Sequence, residues 1–140
     1  HNDTPENFVA FLRRYVQQFG DESSLDVRFE VPDALPAEPL NGELRRQVFL
    51  VFKEALHNVR KHAEAREVMV IVSFDPLTVQ VTDDGRGIRP DPGGTGYGLR
   101  NMARRTEELG GRLRVVSAPD AGTTVTVTVP TDRRSQPRKA

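Results

Sequence analysis

Glu54, Asn58 and Lys61 stand at i, i+4 and i+7 of one stretch, Val51-Phe52-Lys53-Glu54-Ala55-Leu56-His57-Asn58-Val59-Arg60-Lys61-His62. At about 100° per residue they form a narrow polar row. Val48, Val51, Phe52, Ala55, Leu56 and Val59 fill the sector beside it. The row offers an acceptor, an amide that both donates and accepts, and a cation. It reads either as the edge of a site or as a solvated rim.

A second group lies further on, in Asp83-Asp84-Gly85-Arg86-Gly87 and the glycine-rich run to Gly98. Asp83 falls where a strand ends and the loop begins. An ionised carboxylate there accepts only, so it needs a donor such as the exocyclic amine of a base. Gly85 and Gly87 permit positive φ and let a flat ring approach the backbone; a plain Asp-Gly turn is the alternative. Gly94-x-Gly96-x-Gly98 leads straight into a helical pattern whose first turn, Leu99-Arg100-Asn101-Met102, has no acidic residue. Free amides at that start favour an external anion such as phosphate; a glycine hinge is the alternative. No Walker A sequence occurs, and the glycines do not follow a strand as a dinucleotide fingerprint requires. His1, His57 and His62 are the only histidines, and they make a poor metal set. His57 falls off the polar row and His62 turns toward the apolar sector.

The elements that would position these groups are readable in chain order. Thr4 caps a first helix with Pro5 at its first position, Phe8, Phe11, Leu12, Tyr15, Val16 and Phe19 recur at helical spacing, and Gly20 is the expected stop. Leu25 to Val31 alternates as a half-buried strand, and Asn41 caps the long helix running to about His62. Glu67–Phe74 and Leu77–Thr82 read as strands, Leu99–Leu109 as a third helix ended by Gly110-Gly111, and Leu113–Val115 and Val125–Val129 as the last strands. The expected fold is α+β: a two-layer sandwich, its sheet mixed and mainly antiparallel, with three helices on one face. Residues 1–24 form a helix packing on or leading into the domain, 25–130 the domain, and 131–140 a basic, disordered tail.

The chain has 140 residues, 20 Lys+Arg against 20 Asp+Glu, and no cysteine. Zero net charge gives no electrostatic reason to expect nucleic acid or a membrane surface. The missing cysteines exclude disulfides and thiolate metal sites. No apolar run has the length of a membrane span and no signal peptide opens the chain. A start at His1 rather than Met suggests an excised fragment.

Glu54-x-x-x-Asn58-x-x-Lys61-His62, Asp83-x-Gly85-x-Gly87, Gly96-x-Gly98-Leu99 and Gly122-Thr123 occur in this order. Together they resemble the GHKL ATPase superfamily of gyrases, heat-shock chaperones, histidine kinases and mismatch-repair ATPases. Asn58-x-x-Lys61-His62-Ala63 and Gly98-Leu99-Arg100-Asn101-Met102 are similar to sensor histidine kinases, above all the subfamily that signals to LuxR-type response regulators. The resemblance implies a Bergerat ATP-binding fold with ATP and Mg²⁺. Asp83 would accept from the adenine amine, helped by Thr123; Gly85 and Gly87 would shape the base pocket; and Asn58 would ligate Mg²⁺. Lys61 would neutralise phosphate, Gly96, Gly98 and Leu99 would hold phosphates under a lid, His62 would sit beside the nucleotide, and Glu54 would orient or deprotonate the attacking group. It further implies a cytoplasmic kinase domain, without nucleic-acid or direct membrane contact. The phosphate would pass to a histidine on a dimerisation domain absent from this chain, and a response regulator would act downstream. An anti-sigma-type serine kinase and a non-catalytic nucleotide-sensing module are the alternatives.

Overall fold

The computed structural model describes residues 3–88 and 98–131. Helix α1 spans Pro5–Ser23, and its start is as expected: the Thr4 hydroxyl accepts the Asn7 amide at 3.1 Å. Phe8, Leu12, Val16 and Phe19 form its buried face. Gly20 does not stop the helix, which continues to Ser23 and ends on Ser24 in the left-handed region (φ 58). A methyl at Gly20 would stand 3.2 Å from Val27 Cγ2, so this glycine serves close helix–strand packing rather than termination.

Strand β1 (Asp26–Glu30) is followed by helix α2 (Gly42–Asn58). The Asn41 side chain accepts the amides of Glu43 and Leu44 at 2.9 and 3.0 Å, which satisfies two donors of the first turn. Leu44, Val48, Val51, Phe52, Ala55 and Leu56 are buried, as the helical spacing requires. The α-helical hydrogen bonding ends at Asn58. The turn Val59–Ala63 is wound as a π-helix and closes on Glu64 at φ 51. Such widened turns occur mostly as single turns and often at functional sites.

Strands β2 (Glu67–Ser73), β3 (Leu77–Asp83), β4 (Arg112–Ser117) and β5 (Thr123–Val129), with helix α3 (Leu99–Glu108) between β3 and β4, complete the fold. The sheet order is β1-β2-β3-β5-β4. Only β1 and β2 run parallel, because α2 crosses between them; the other pairs are antiparallel. Val68, Val70 and Val72, then Leu77, Val79 and Val81, then Val125, Val127 and Val129 point into one core with α1 and α2. Met102 and Thr106 bring α3 onto the same core. The result is the two-layer sandwich and mixed sheet anticipated from the sequence. Gly96, the lid from Arg89 to Tyr97, His1, residues 132–140 and the His62 side chain lie outside the described residues. No helix among the described residues is long and apolar enough to cross a membrane.

Candidate nucleotide site

Two inward rows of the sheet change chemistry at the same end. On β3 the buried positions are Leu77, Val79, Val81 and Asp83; on β5 they are Thr123, Val125, Val127 and Val129. Asp83 and Thr123 are direct partners in the β3–β5 register. A carboxylate and a hydroxyl therefore replace apolar side chains where the two central strands meet the edge of the core. Ala55, Asn58 and Val59 cross above them, Gly87 and Ile88 come from the loop after β3, and Leu99 comes from α3. Together these residues line a cleft.

Asp83 is only 6% exposed. Burial pushes its carboxyl above the ordinary value, because the charged form loses hydration. The Gly85 amide, 2.8 Å away, and the Thr123 amide pull it back down, and the neighbouring Asp84 charge raises it a little. Asp84 itself is exposed and held below the ordinary range by the Glu67 and Arg66 amides, which its Oδ1 accepts at 3.0 and 2.8 Å. The two adjacent carboxylates divide the work: Asp84 ties the end of β3 to the start of β2, and Asp83 faces the cleft.

The loop carrying Gly85 and Gly87 is fastened to the β4–β5 turn. Gly122 donates its amide to the Gly85 carbonyl at 2.9 Å and Asp120 donates to Arg86 at 2.8 Å. The Ile88 amide reaches Ser117 Oγ at 2.7 Å. Gly122 holds φ 78, and a methyl there would stand 3.0 Å from the Asp83 carbonyl carbon and closer still to its oxygen. Only glycine lets the hairpin come this near. Arg86 also forms an ion pair with Glu64, 3.7 Å away, at the close of the π turn.

Of the residues singled out in the sequence, Asn58, Asp83, Gly87, Leu99 and Thr123 line the cleft, and Gly85 caps the Asp83 carboxylate. Glu54 sits one turn before Asn58, half-buried against Gly98. A methyl on Gly98, which opens α3 at φ 63, would stand 2.8 Å from Glu54 Cδ. Lys61 is exposed on the π turn and does not line the cleft. The i+7 spacing assumed an unbroken α-helix, and the wider turn after Asn58 changes the phase of the residues beyond it. Sequence reasoning did not single out Ser117, Asp84 or Ile88. Ser117 had a faint signal, as the polar residue closing a strand a short turn before Thr123.

A buried acceptor at the end of a central strand, roofed by a helix with polar groups at its end and bordered by a glycine-rich loop, defines an ATPase-type α/β sandwich. Residues 43–133 match the family described as histidine kinase-, DNA gyrase B-, and HSP90-like ATPase. The chain belongs to that family. It is 30% identical over 122 residues to the sensor histidine kinase LiaS of Bacillus subtilis, covering 85% of this chain and 33% of LiaS. To the oxygen sensor histidine kinase NreB of Staphylococcus carnosus it is 32% identical over 125 residues, covering 86% of this chain and 35% of NreB. It thus spans about a third of the length of these curated relatives. The histidine kinase domain of the Erythrobacter litoralis blue-light activated kinase EL346 superposes with a TM-score of 0.74 at 24% identity, over 96% of this chain and 67% of that one. The catalytic domain of the histidine kinase ThkA gives 0.71 at 14% identity, over 95% and 96%. Both likenesses concern the fold.

Proposed function

We propose that this chain is the ATP-binding catalytic domain of a sensor histidine kinase. The carrying observation is the buried Asp83 carboxylate at the floor of a cleft that the Glu54–Asn58 end of α2 roofs over, in a chain of this ATPase family. A buried acceptor-only group suits the amino group of adenine, and the Thr123 hydroxyl beside it can serve the same base edge. Asn58 lines the cleft, and its side chain carries an amide oxygen. That suits Mg²⁺, a hard cation that keeps waters and takes few protein ligands beside substrate phosphates. When bound, the ion would spread the charge of the β- and γ-phosphates.

The chain's own residues would do the rest. Asp83, Gly85, Gly87 and Thr123 would seat the base; Leu99 and the amides where α3 opens, with Gly96 and Gly98, would meet phosphate oxygens at the positive end of that helix. Lys61 and His62 would flank the nucleotide from the π turn, and Glu54 would orient the attacking group. The γ-phosphate would pass to a histidine on a dimerisation domain outside this chain. A response regulator, of the LuxR type on the motif evidence, would take it from there. Residues 25–130 would form the ATPase domain proper with the helix of residues 1–24 packed on it, working on the cytoplasmic side.

Titration calorimetry with ATP and ADP, with and without Mg²⁺, tests the reading. Saturable binding of both nucleotides, tighter for ATP when Mg²⁺ is present, is expected. No heat and no thermal stabilisation with either nucleotide would refute it.

A further inference from the structure

Four polar side chains are buried among the described residues: Gln47, Asp83, Thr106 and Thr123. Asp83 and Thr123 belong to the cleft, and the Thr106 hydroxyl is spent within α3 on the Met102 carbonyl at 2.7 Å. Gln47 is left, 8% exposed and outside the cleft lining. A buried amide is costly unless both its oxygen and its nitrogen find partners. Arg105 of α3 donates to Gln47 Oε1 at 2.7 Å, and Gln47 Nε2 donates to Glu43 Oε1 at 2.7 Å. A guanidinium only donates and a carboxylate only accepts, so one orientation of the amide serves both. Each bond has a charged partner, which makes it stronger than a neutral pair.

Helix α3 has little else to hold it. It is ten residues long and buries only Met102 and Thr106. At its opening, Gly98 lies against Glu54 of α2. Gln47 and Glu54 are seven residues apart on α2, and Gly98 and Arg105 are seven apart on α3. At 1.5 Å per residue both intervals span about 10.5 Å, so the two helices run antiparallel and in register between these contacts. Glu43 stands in the first turn of α2 and Arg105 in the last turn of α3, where each charge complements its helix dipole. We infer that Gln47 is a positioning residue: it fixes α3 against α2 at the end away from the cleft, and so keeps the opening of α3, Gly98 and Leu99, in place for the phosphates. This rests on the nucleotide reading above and deepens it. Without the link the short helix is free to slide or tilt about its Met102 contact, and the amides at its opening move with it. Asp83 and Thr123, on β3 and β5, stay where they are. Gln47 therefore governs affinity for the phosphates and leaves affinity for the base alone.

The test is the ratio of Mg·ATP affinity to the affinity for adenosine, which has no phosphates. Calorimetry measures both on the 140-residue chain and on Gln47→Met, Arg105→Met and the double variant, each with a thermal melt. Methionine keeps the bulk of glutamine and makes neither bond. Each single variant is expected to lower the ratio about three- to tenfold, the worth of one hydrogen bond. The double variant is expected to lower it no further, because both changes remove the same link. A role confined to folding would move the melting temperature and leave the ratio alone. An unmoved ratio in Gln47→Met, or single losses that add in the double variant, would overturn the assignment while ATP still binds the unaltered chain. Failure of the unaltered chain to bind ATP would remove the nucleotide reading and this inference with it.

Discussion

Asp83→Asn separates binding from folding at the floor of the cleft. The carboxylate is buried, and its pKa is raised because lost hydration outweighs the amides of Gly85 and Thr123. Ionised, it therefore costs the empty domain stability. Asparagine keeps an oxygen for the Gly85 amide and carries no charge to desolvate, so the two changes largely cancel. The expected shift is within about 1 kcal/mol, a few degrees in melting temperature for a domain of this size. Binding responds differently. The amide nitrogen is a donor and would confront the adenine amino group. Losing a hydrogen bond to a charged acceptor costs about 1.5–3 kcal/mol, roughly ten- to a hundredfold in affinity.

The sign of the pH dependence is set by the same shift. Because the folded pKa lies above the ordinary 3.8, the folded domain keeps a proton that the unfolded chain has lost. Stability then falls as pH rises from 3.8 through the folded value and levels off above it. ATP affinity runs the other way, weakening as pH is lowered through the folded value, since protonation removes the acceptor charge. Calorimetry with Mg·ATP across this range, on both proteins, is the assay; the ratio of their affinities removes the titration of the nucleotide itself. An Asp83→Asn variant that binds ATP within about threefold of the unaltered chain, or a ratio independent of pH, would refute the assignment of Asp83 to the base.

Two other perturbations probe the same geometry. Gly122→Ala forces a side chain into the left-handed region and against the Asp83 backbone, so it should cost about 2 kcal/mol or more, roughly 6–10 °C in a thermal melt; an unchanged melt would show that the hairpin tolerates retreat from β3. Asn58→Ala should weaken Mg·ATP binding by at least about tenfold, the cost of losing even an outer-shell metal partner, while magnesium-free ADP binding changes less. Equal losses with and without Mg²⁺ would assign Asn58 to the nucleotide rather than the ion.

Local chemistry was legible in the sequence. Thr4 and Asn41 cap the helices that their spacing announced, and period-two alternation found β3 and β5. The pairing order of the strands was not written locally, because it depends on α2 crossing between β1 and β2. Asp83 could be named from its place before a glycine loop, yet its bond to Thr123 joins residues distant in the chain, on strands that only the folded sheet makes neighbours. A closer count would have found the clue. Continuing the alternation of Val79 and Val81 puts Asp83 on the core side, and counting back from Val125 puts Thr123 there too. Gly20 misled because the same residue ends helices and admits close packing. The π turn had no signal at all, since a wheel drawn at about 100° per residue assumes the regularity that breaks after Asn58.

That break bears on how the site is held together. The end of α2 and the floor of the cleft belong to different layers of the sandwich, and core packing alone would let them slide against each other. Two links join them just beyond the π turn. Asp84 takes the Arg66 and Glu67 amides, and Arg86 reaches Glu64. The Arg86–Glu64 pair, with its Glu64 side in solvent, contributes little; the charge-assisted amide bonds of Asp84 are the stronger tie. They fix where the chain leaving the π turn enters β2, hence where Asn58 stands relative to Asp83. The hairpin holds the same loop from its other side through Gly122, Asp120 and Ser117. Asp83 is thus gripped by the backbone amides of Gly85 and Thr123, which offset part of what burial costs its charged form.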